Sequence, residues 1–264
     1  MHRNLFDRLV ALGVDLFADE RIRPKEKEAR KRFDDTVITL RESAEYRFSS
    51  ILFHAGLLRD FQERAVREMT LTLLGGSRDG YEVIYIARRQ QQMLFDAMVF
   101  NSLALFDYLG NMIGFAFYGA DSGAWKWQWK RATTLARKPQ QEEKDYGGTR
   151  YSSSEIAGQV IEIDREWISR LQHYRGELIH IQADPAGGHY EINATDGQPP
   201  EILLEITVPE AFAKKIRLPG TQRGERVGLI RAGDWLIIQS YTNAVRVIDS
   251  LRDSLGVYAS VITP

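Results

Sequence analysis

Cysteine is absent from the 264 residues, which excludes disulfides, thiolate metal sites and a cysteine nucleophile. Net charge is nearly absent too. Lys and Arg number 35 against 36 Asp and Glu, leaving -1 at pH 7 and a pI of about 6.5. Global attraction to a polyanion is thereby excluded, and any contact with nucleic acid must come from a local patch. The chain has no glycine-rich phosphate loop, no internal repeat and no heptad array with charged edges. Long uninterrupted apolar runs are also missing. The most apolar segment, "LFDAMVFNSLALFDYLGNMIGFAFYG", is broken by Asp96, Asn101, Asp107 and Asn111, so it reads as a central buried helix and not as a membrane span. The N-terminal "MHRNLFDRLVALGVDLFADE" lacks an apolar core and a small-residue cleavage site and reads as an amphipathic helix. The expected location is the cytoplasm, with no membrane partner.

What is present is helical periodicity, with apolar residues at 44% and charged residues at 27%, enough of each for a soluble chain with a substantial core. Phe33, Val37, Leu40, Ala44, Phe48, Ile51, Ala55 and Leu58 recur at spacings of three and four, which predicts a long amphipathic helix ending at Gly75-Gly76. A second long helix is predicted from Tyr81 to Tyr118, closing at Gly119, and a shorter one in "WKWQWKRATTLARK", stopping before Pro139. "PQQEEKDYGGTRYSSS" is polar and glycine-containing and reads as a mobile loop. Ser152 and Glu155 fit a capping box opening a helix from about Ser154 to Gln182, with Ile163, Trp167, Leu171, Tyr174, Leu178 and Ile181 as its buried stripe. "HYEIN", "EILLEITV" and "KKIRL" read as short antiparallel strands. A last helix follows from Asp234 to Leu255, with Trp235, Ile238, Tyr241, Val245, Ile248 and Leu251 on one stripe.

The expected fold class is therefore mainly α, an up-and-down helical bundle with a small antiparallel β insertion before the last helix. Residues 1–78 are expected to form long amphipathic helices packed on the bundle, residues 79–264 the bundle itself with the insertion at 187–230, the whole making one compact unit.

One stretch carries candidate chemistry: "YRGELIH", Tyr174 to His180. At about 100° per residue, Arg175 and His180 lie about 140° apart and flank the face opposite the apolar stripe. Gly176 and Ala183 on that face are small enough for another backbone to approach, and a second copy packed there would bring Arg175 of one chain towards His180 of the other. Such a pair suits RNA cleavage. A histidine near its ordinary pKa moves the proton of a 2'-hydroxyl or of the leaving 5'-oxygen, while a guanidinium holds the phosphate and its growing charge. The chemistry needs the 2'-hydroxyl and no metal or other cofactor. Arg47 and His54 in "RFSSILFH" form a second such pair, on one helical face beside the core stripe, and read as structural.

The capped helix carrying "YRGELIH", preceded by the apolar helix containing "LFDYLGNMIGFAFYG", resembles the HEPN family (higher eukaryotes and prokaryotes nucleotide-binding) of small helical-bundle proteins. The resemblance covers Tyr81 to Ile181 and the last helix. It implies a homodimer whose two arginine–histidine motifs meet at the interface, metal-independent endoribonuclease activity, and a toxin–antitoxin or antiviral setting with an antitoxin or defence partner. Arg175 matches the motif arginine and His180 the motif histidine, with Tyr174, Gln172 and Asp107 in support. The chain departs at Gly176, where the family usually carries asparagine, aspartate or histidine, and some members are inactive.

Other readings stay open. His173, Glu177, His180 and Asp184 share a helix face and could hold a metal, although no second carboxylate-x-x-histidine unit accompanies them. "WKWQWKR" interleaves aromatics with Lys126, Lys130 and Arg131, as single-strand nucleic-acid platforms do, but Trp125 and Trp129 sharing a helical face also fits core packing with the cations outside. A non-catalytic binding or assembly module is the alternative to an enzyme.

Overall fold

The computed structural model describes residues 1–75, 80–119, 123, 127–180, 186–193, 201–209, 212, 213, 216, 218 and 225–260, and of 177–180 and 256–260 only the backbone. The fold is mainly helical, with a two-stranded antiparallel sheet ahead of the last helix. In chain order the elements are α1 (His2–Ala18), α2 (Lys27–Leu74), α3 (Tyr81–Tyr118), α4 (Trp129–Arg137), α5 (Pro139–Tyr146) and α6 (Glu155–Ile163). A π-helical stretch (Asp164–Ile168), α7 (Ser169–His180), β1 (Gly187–Asn193), β2 (Glu201–Thr207) and α8 (Leu229–Ser260) complete them. The eight-residue stripe expected on α2 is buried throughout. α3 has the predicted bounds. It is long and apolar enough to cross a membrane, yet half of its most apolar window is buried inside the protein, as suits a core helix. It stops at Gly119, whose φ of 65° and close approach to the Ile22 carbonyl oxygen, 2.9 Å from where a Cβ would stand, both require glycine.

The chain divides into two compact units, and the division falls inside α2, α3, α7 and α8. The first unit comprises Met1–Ser49, Asn101–Ser169 and Gln239–Pro264. α1 buries Leu5, Leu9, Leu12 and Leu16 and is tied to α8 by the Arg8–Asp249 ion pair and by Arg252 donating to Asp15 at 2.6 Å. The start of α4 lands on α3 at Gly110, where a Cβ would lie 2.8 Å from the Gln128 backbone. One turn earlier, Asp107 accepts the Trp129 backbone N–H at 3.1 Å, capping α4 from a neighbouring helix. Buried Asp164 accepts the Trp129 indole N–H at 3.2 Å and Arg137 at 2.7 Å.

The single straight helix expected from Ser154 to Gln182 is interrupted by the π-helical stretch that Asp164 opens. Its wider i→i+5 turn admits an extra residue, so Trp167 and Ile168 both face the core, at 2% and 0% exposure. Ile163, Trp167, Leu171 and Tyr174 are buried as the stripe predicted, while the side chain of Leu178 and all of Ile181 lie outside the described residues.

Two expectations for residues 139–154 are corrected. The segment is not a loop throughout: it begins with α5 and is anchored by Glu142, which is fully buried. The Glu142 carboxylate accepts the Tyr118 hydroxyl and the backbone N–H groups of Tyr151 and Ser152, the latter two at 2.7 Å. Tyr118, Trp127, Tyr146 and Tyr151 pack against one another beside it, stacked, tilted or edge-on, and burial beside that carboxylate pushes both the Tyr118 and Tyr151 phenols well up. A run that looks polar in sequence is ordered because its one inward carboxylate gathers backbone donors. Ser152 is accordingly not the cap of α6. Ser154 is the N-cap residue, and its hydroxyl donates back to the Tyr151 carbonyl at 2.5 Å.

The second unit comprises Ser50–Phe100 and Arg170–Ile238. β1 and β2 pair antiparallel in the register Gly187↔Thr207 to Asn193↔Glu201, with Ile202, Leu204 and Ile206 turned inward. Gln62 of α2 donates to the Leu204 carbonyl and receives a bond from Gln91 of α3 at 2.9 Å, which seats the hairpin on the helices. Of the third expected strand, "KKIRL", only Ile216 and Leu218 are described, and both are buried.

α8 is longer than expected and rotated from its predicted stripe. Ile248 and Leu251 are buried, but Ile238 is 47% exposed and Trp235, Tyr241 and Val245 are only half-buried. The inward ridge is Ala232, Leu236, Ser240, Ala244, Val247 and Leu251, all fully buried. Small residues permit closer helix contact than the bulky ones on which the stripe was drawn, and Ser240 donates to Ser102 at 3.0 Å in the core.

Candidate functional site

The "YRGELIH" stretch lies at the C-terminal end of α7 in the second unit, beside the N-terminal half of α3. Tyr174 is its anchor. The side chain is 1% exposed, meets Phe212 edge-on at 5.0 Å, and donates its hydroxyl to Asp96 Oδ1 of α3 at 2.9 Å. Phe212 in turn meets Phe95 edge-on at 4.8 Å, so the residue before Asp96 is fixed by the same aromatic trio. Beyond the end of α7, Gln92 of α3 accepts the Ala186 N–H at 3.0 Å.

Burial pushes the Asp96 carboxyl up from 3.8 to about 6, the Tyr174 hydrogen bond acting in the opposite direction. Asp96 therefore changes charge at about pH 6, in direct contact with Tyr174, the chain neighbour of Arg175. The sequence marked Asp96 only as an interruption of the apolar helix. Its spacing of four from Phe100 is the one signal that places it on the side of α3 that Tyr174 and Arg175 of α7 meet.

Arg175 is half-buried and rests over the Phe100 ring, its guanidinium carbon 5.8 Å from the centroid, and among the described residues no carboxylate pairs with it. A guanidinium held by an aromatic face keeps its hydrogen-bond donors available for an oxyanion. Gly176 is half-buried, and a Cβ added there would meet nothing within 4 Å, so no contact within the described residues calls for glycine. Gln172 and His173 are exposed. The backbone of His180 is helical, but its side chain and that of Glu177, with the whole of Asp184, lie outside the described residues. Of the alternative metal set only the His173 side chain is thus described, and among the described residues no three metal-ligating side chains cluster.

The other candidates, apart from His54 of the second unit, belong to the first unit. Asp107 spends one oxygen on the start of α4. Lys130 is exposed, Arg131 is ion-paired with Asp145, and Lys126 and Trp125 lie outside the described residues. Trp127 and Trp129, at 1% and 0% exposure, are core residues, so neither offers a face to a base. The helix begins only at Trp129, which is why Trp127 is buried as well. Arg47 donates to Asn101 at 3.1 Å and His54 bonds the Ser50 carbonyl at 2.6 Å, in keeping with structural roles for that pair.

Comparison with protein-family models, with curated proteins and with solved structures finds no match to this chain.

Proposed function

We propose that the protein is a homodimeric, metal-independent endoribonuclease of the HEPN type, cytoplasmic, acting in a toxin–antitoxin or antiviral setting. The observation that carries the reading is Arg175: a guanidinium with no carboxylate partner among the described residues, steadied by Phe100, on a helix turn pinned through Tyr174 to Asp96. In this reading His180 removes the proton from a ribose 2'-hydroxyl, and the freed oxygen attacks the adjacent phosphorus. The 5'-oxygen leaves with a proton, and a 2',3'-cyclic phosphate remains. Arg175 neutralises the charge that gathers on the non-bridging oxygens.

The test is incubation of purified protein with RNA and with DNA of the same sequence in EDTA. RNA alone is expected to be cut, and Arg175→Ala or His180→Ala is expected to abolish cutting while the fold survives. Intact RNA after prolonged incubation with the wild-type dimer refutes the enzymatic reading. Gly176 favours a second one, a non-catalytic RNA-binding or assembly module, because the polar side chain usual after the motif arginine is missing. Dimerisation without turnover supports that reading, and retained cleavage eliminates it.

A further inference from the structure

We infer that one face of α3 in the second unit is a docking surface for single-stranded RNA, leading to Arg175. Tyr85 is 40% exposed and carries two guanidiniums, Arg88 and Arg89, whose central carbons lie 6.0 Å and 5.7 Å from its ring centroid. Arg89 also donates to the Tyr85 hydroxyl at 3.0 Å. Neither arginine has a carboxylate partner among the described residues. Many arginines elsewhere do, as in Arg59–Asp234, Arg23–Asp34 and Arg246–Glu162. Two uncompensated charges on an exposed ring, in a chain of net charge -1, make the kind of local patch that the composition demands.

At about 100° per residue, Tyr85, Arg89, Met93 and Phe100 fall within an arc of about 80° on α3, and the stretch from Tyr85 to Phe100 is about 22 Å long. Met93 is 72% and Phe100 40% exposed, and Phe100 carries Arg175 at the far end. Cations therefore stand at both ends of a stripe whose aromatic and thioether groups are open to solvent. Phosphates meet the guanidiniums, and bases stack on rings that carry no sequence preference. Two carboxylates share this face. Asp96 is engaged by Tyr174, and exposed Glu82 stands at the N-terminal end, beyond Tyr85. A duplex presents phosphates but keeps its bases stacked, so the exposed rings favour a single strand. The choice of RNA over DNA rests on the proposed function.

The experiment measures fluorescence anisotropy of labelled polyuridylate with His180→Ala protein, which holds RNA without the proposed turnover. Duplex RNA, polydeoxythymidylate and polyglutamate serve as competitors. Arg89→Ala and Tyr85→Ala remove exposed side chains, and circular dichroism verifies their fold. Tyr85→Ala is expected to weaken binding at least about fivefold. Replacing both Arg88 and Arg89 with alanine is expected to lower the slope of log affinity against log salt by about 1.4. Unchanged affinity and slope in Arg89→Ala and in the double variant overturn the inference. So does polyglutamate or duplex RNA competing as well as polyuridylate, which would mark a general anion face. Polydeoxythymidylate binding as tightly as polyuridylate overturns the choice of RNA. Failure of the proposed function reads differently: wild-type protein binds polyuridylate through Arg88 and Arg89 but does not cut it.

Discussion

Replacing Asp96 with asparagine is expected to stabilise the protein above neutral pH and to remove part of its pH dependence. The folded protein holds this carboxyl near 6 against 3.8 for an unburied one, because burial disfavours the charge by more than the Tyr174 hydroxyl restores. A folded-state value above the unfolded one means that the folded chain keeps its proton while the unfolded chain gives it up. The associated stability is complete below 3.8 and is lost as the pH rises through about 6. At about 1.4 kcal/mol per pH unit the gap corresponds to about 3 kcal/mol, an upper figure because solvent still reaches part of the group. Asparagine keeps an oxygen for the Tyr174 hydroxyl and cannot ionise. Urea unfolding at about pH 8 should therefore show Asp96→Asn more stable by about 1–3 kcal/mol, with the difference vanishing at about pH 4. Tyr174→Phe, which deletes the hydrogen bond that holds the value down, should move the fall in stability to higher pH. An advantage of Asp96→Asn that is equal at both pH values, or a loss at both, refutes the reasoning.

Three further substitutions probe the packing. Glu142→Ala strips the acceptor from the Tyr118 hydroxyl and from two backbone N–H groups, and should cost at least about 3 kcal/mol in chemical unfolding and open residues 147–154 to proteases; a near-neutral change would return that segment to a loop. Gly110→Ala places a methyl 2.8 Å from the Gln128 backbone and should cost about 1–3 kcal/mol by calorimetry. Gly176→Ala meets no neighbour among the described residues and should stabilise the isolated protein by up to about 1 kcal/mol through helix propensity, and a weakened dimer in sedimentation would show that another chain needs the space.

The sequence by itself determined where the long helices run. Apolar spacing of three and four marks α2, because a helix that buries one face repeats its apolar residues with the turn, and the extent of α3 follows from its apolar run and the glycine that closes it. It also determined the class of fold, since a change from helical to alternating pattern before the last helix is what a small antiparallel sheet requires. Only the tertiary structure decided which face of α8 turns inward. Ala232, Ser240 and Ala244 reach the core because small side chains admit close helices, a gain that a scale of individual hydrophobicity does not contain. It also decided that Glu142 lies inside and that α7 follows a π-helical turn, for both depend on partners distant in the chain: the hydroxyl of Tyr118 in one case, and in the other the Trp129 indole and Arg137 that hold Asp164. The same holds for the candidate site. Arginine and tyrosine could be read from "YRGELIH", but the carboxyl of Asp96 and the ring of Phe100 belong to another helix, and a side chain's charge and freedom are set by what packs against it.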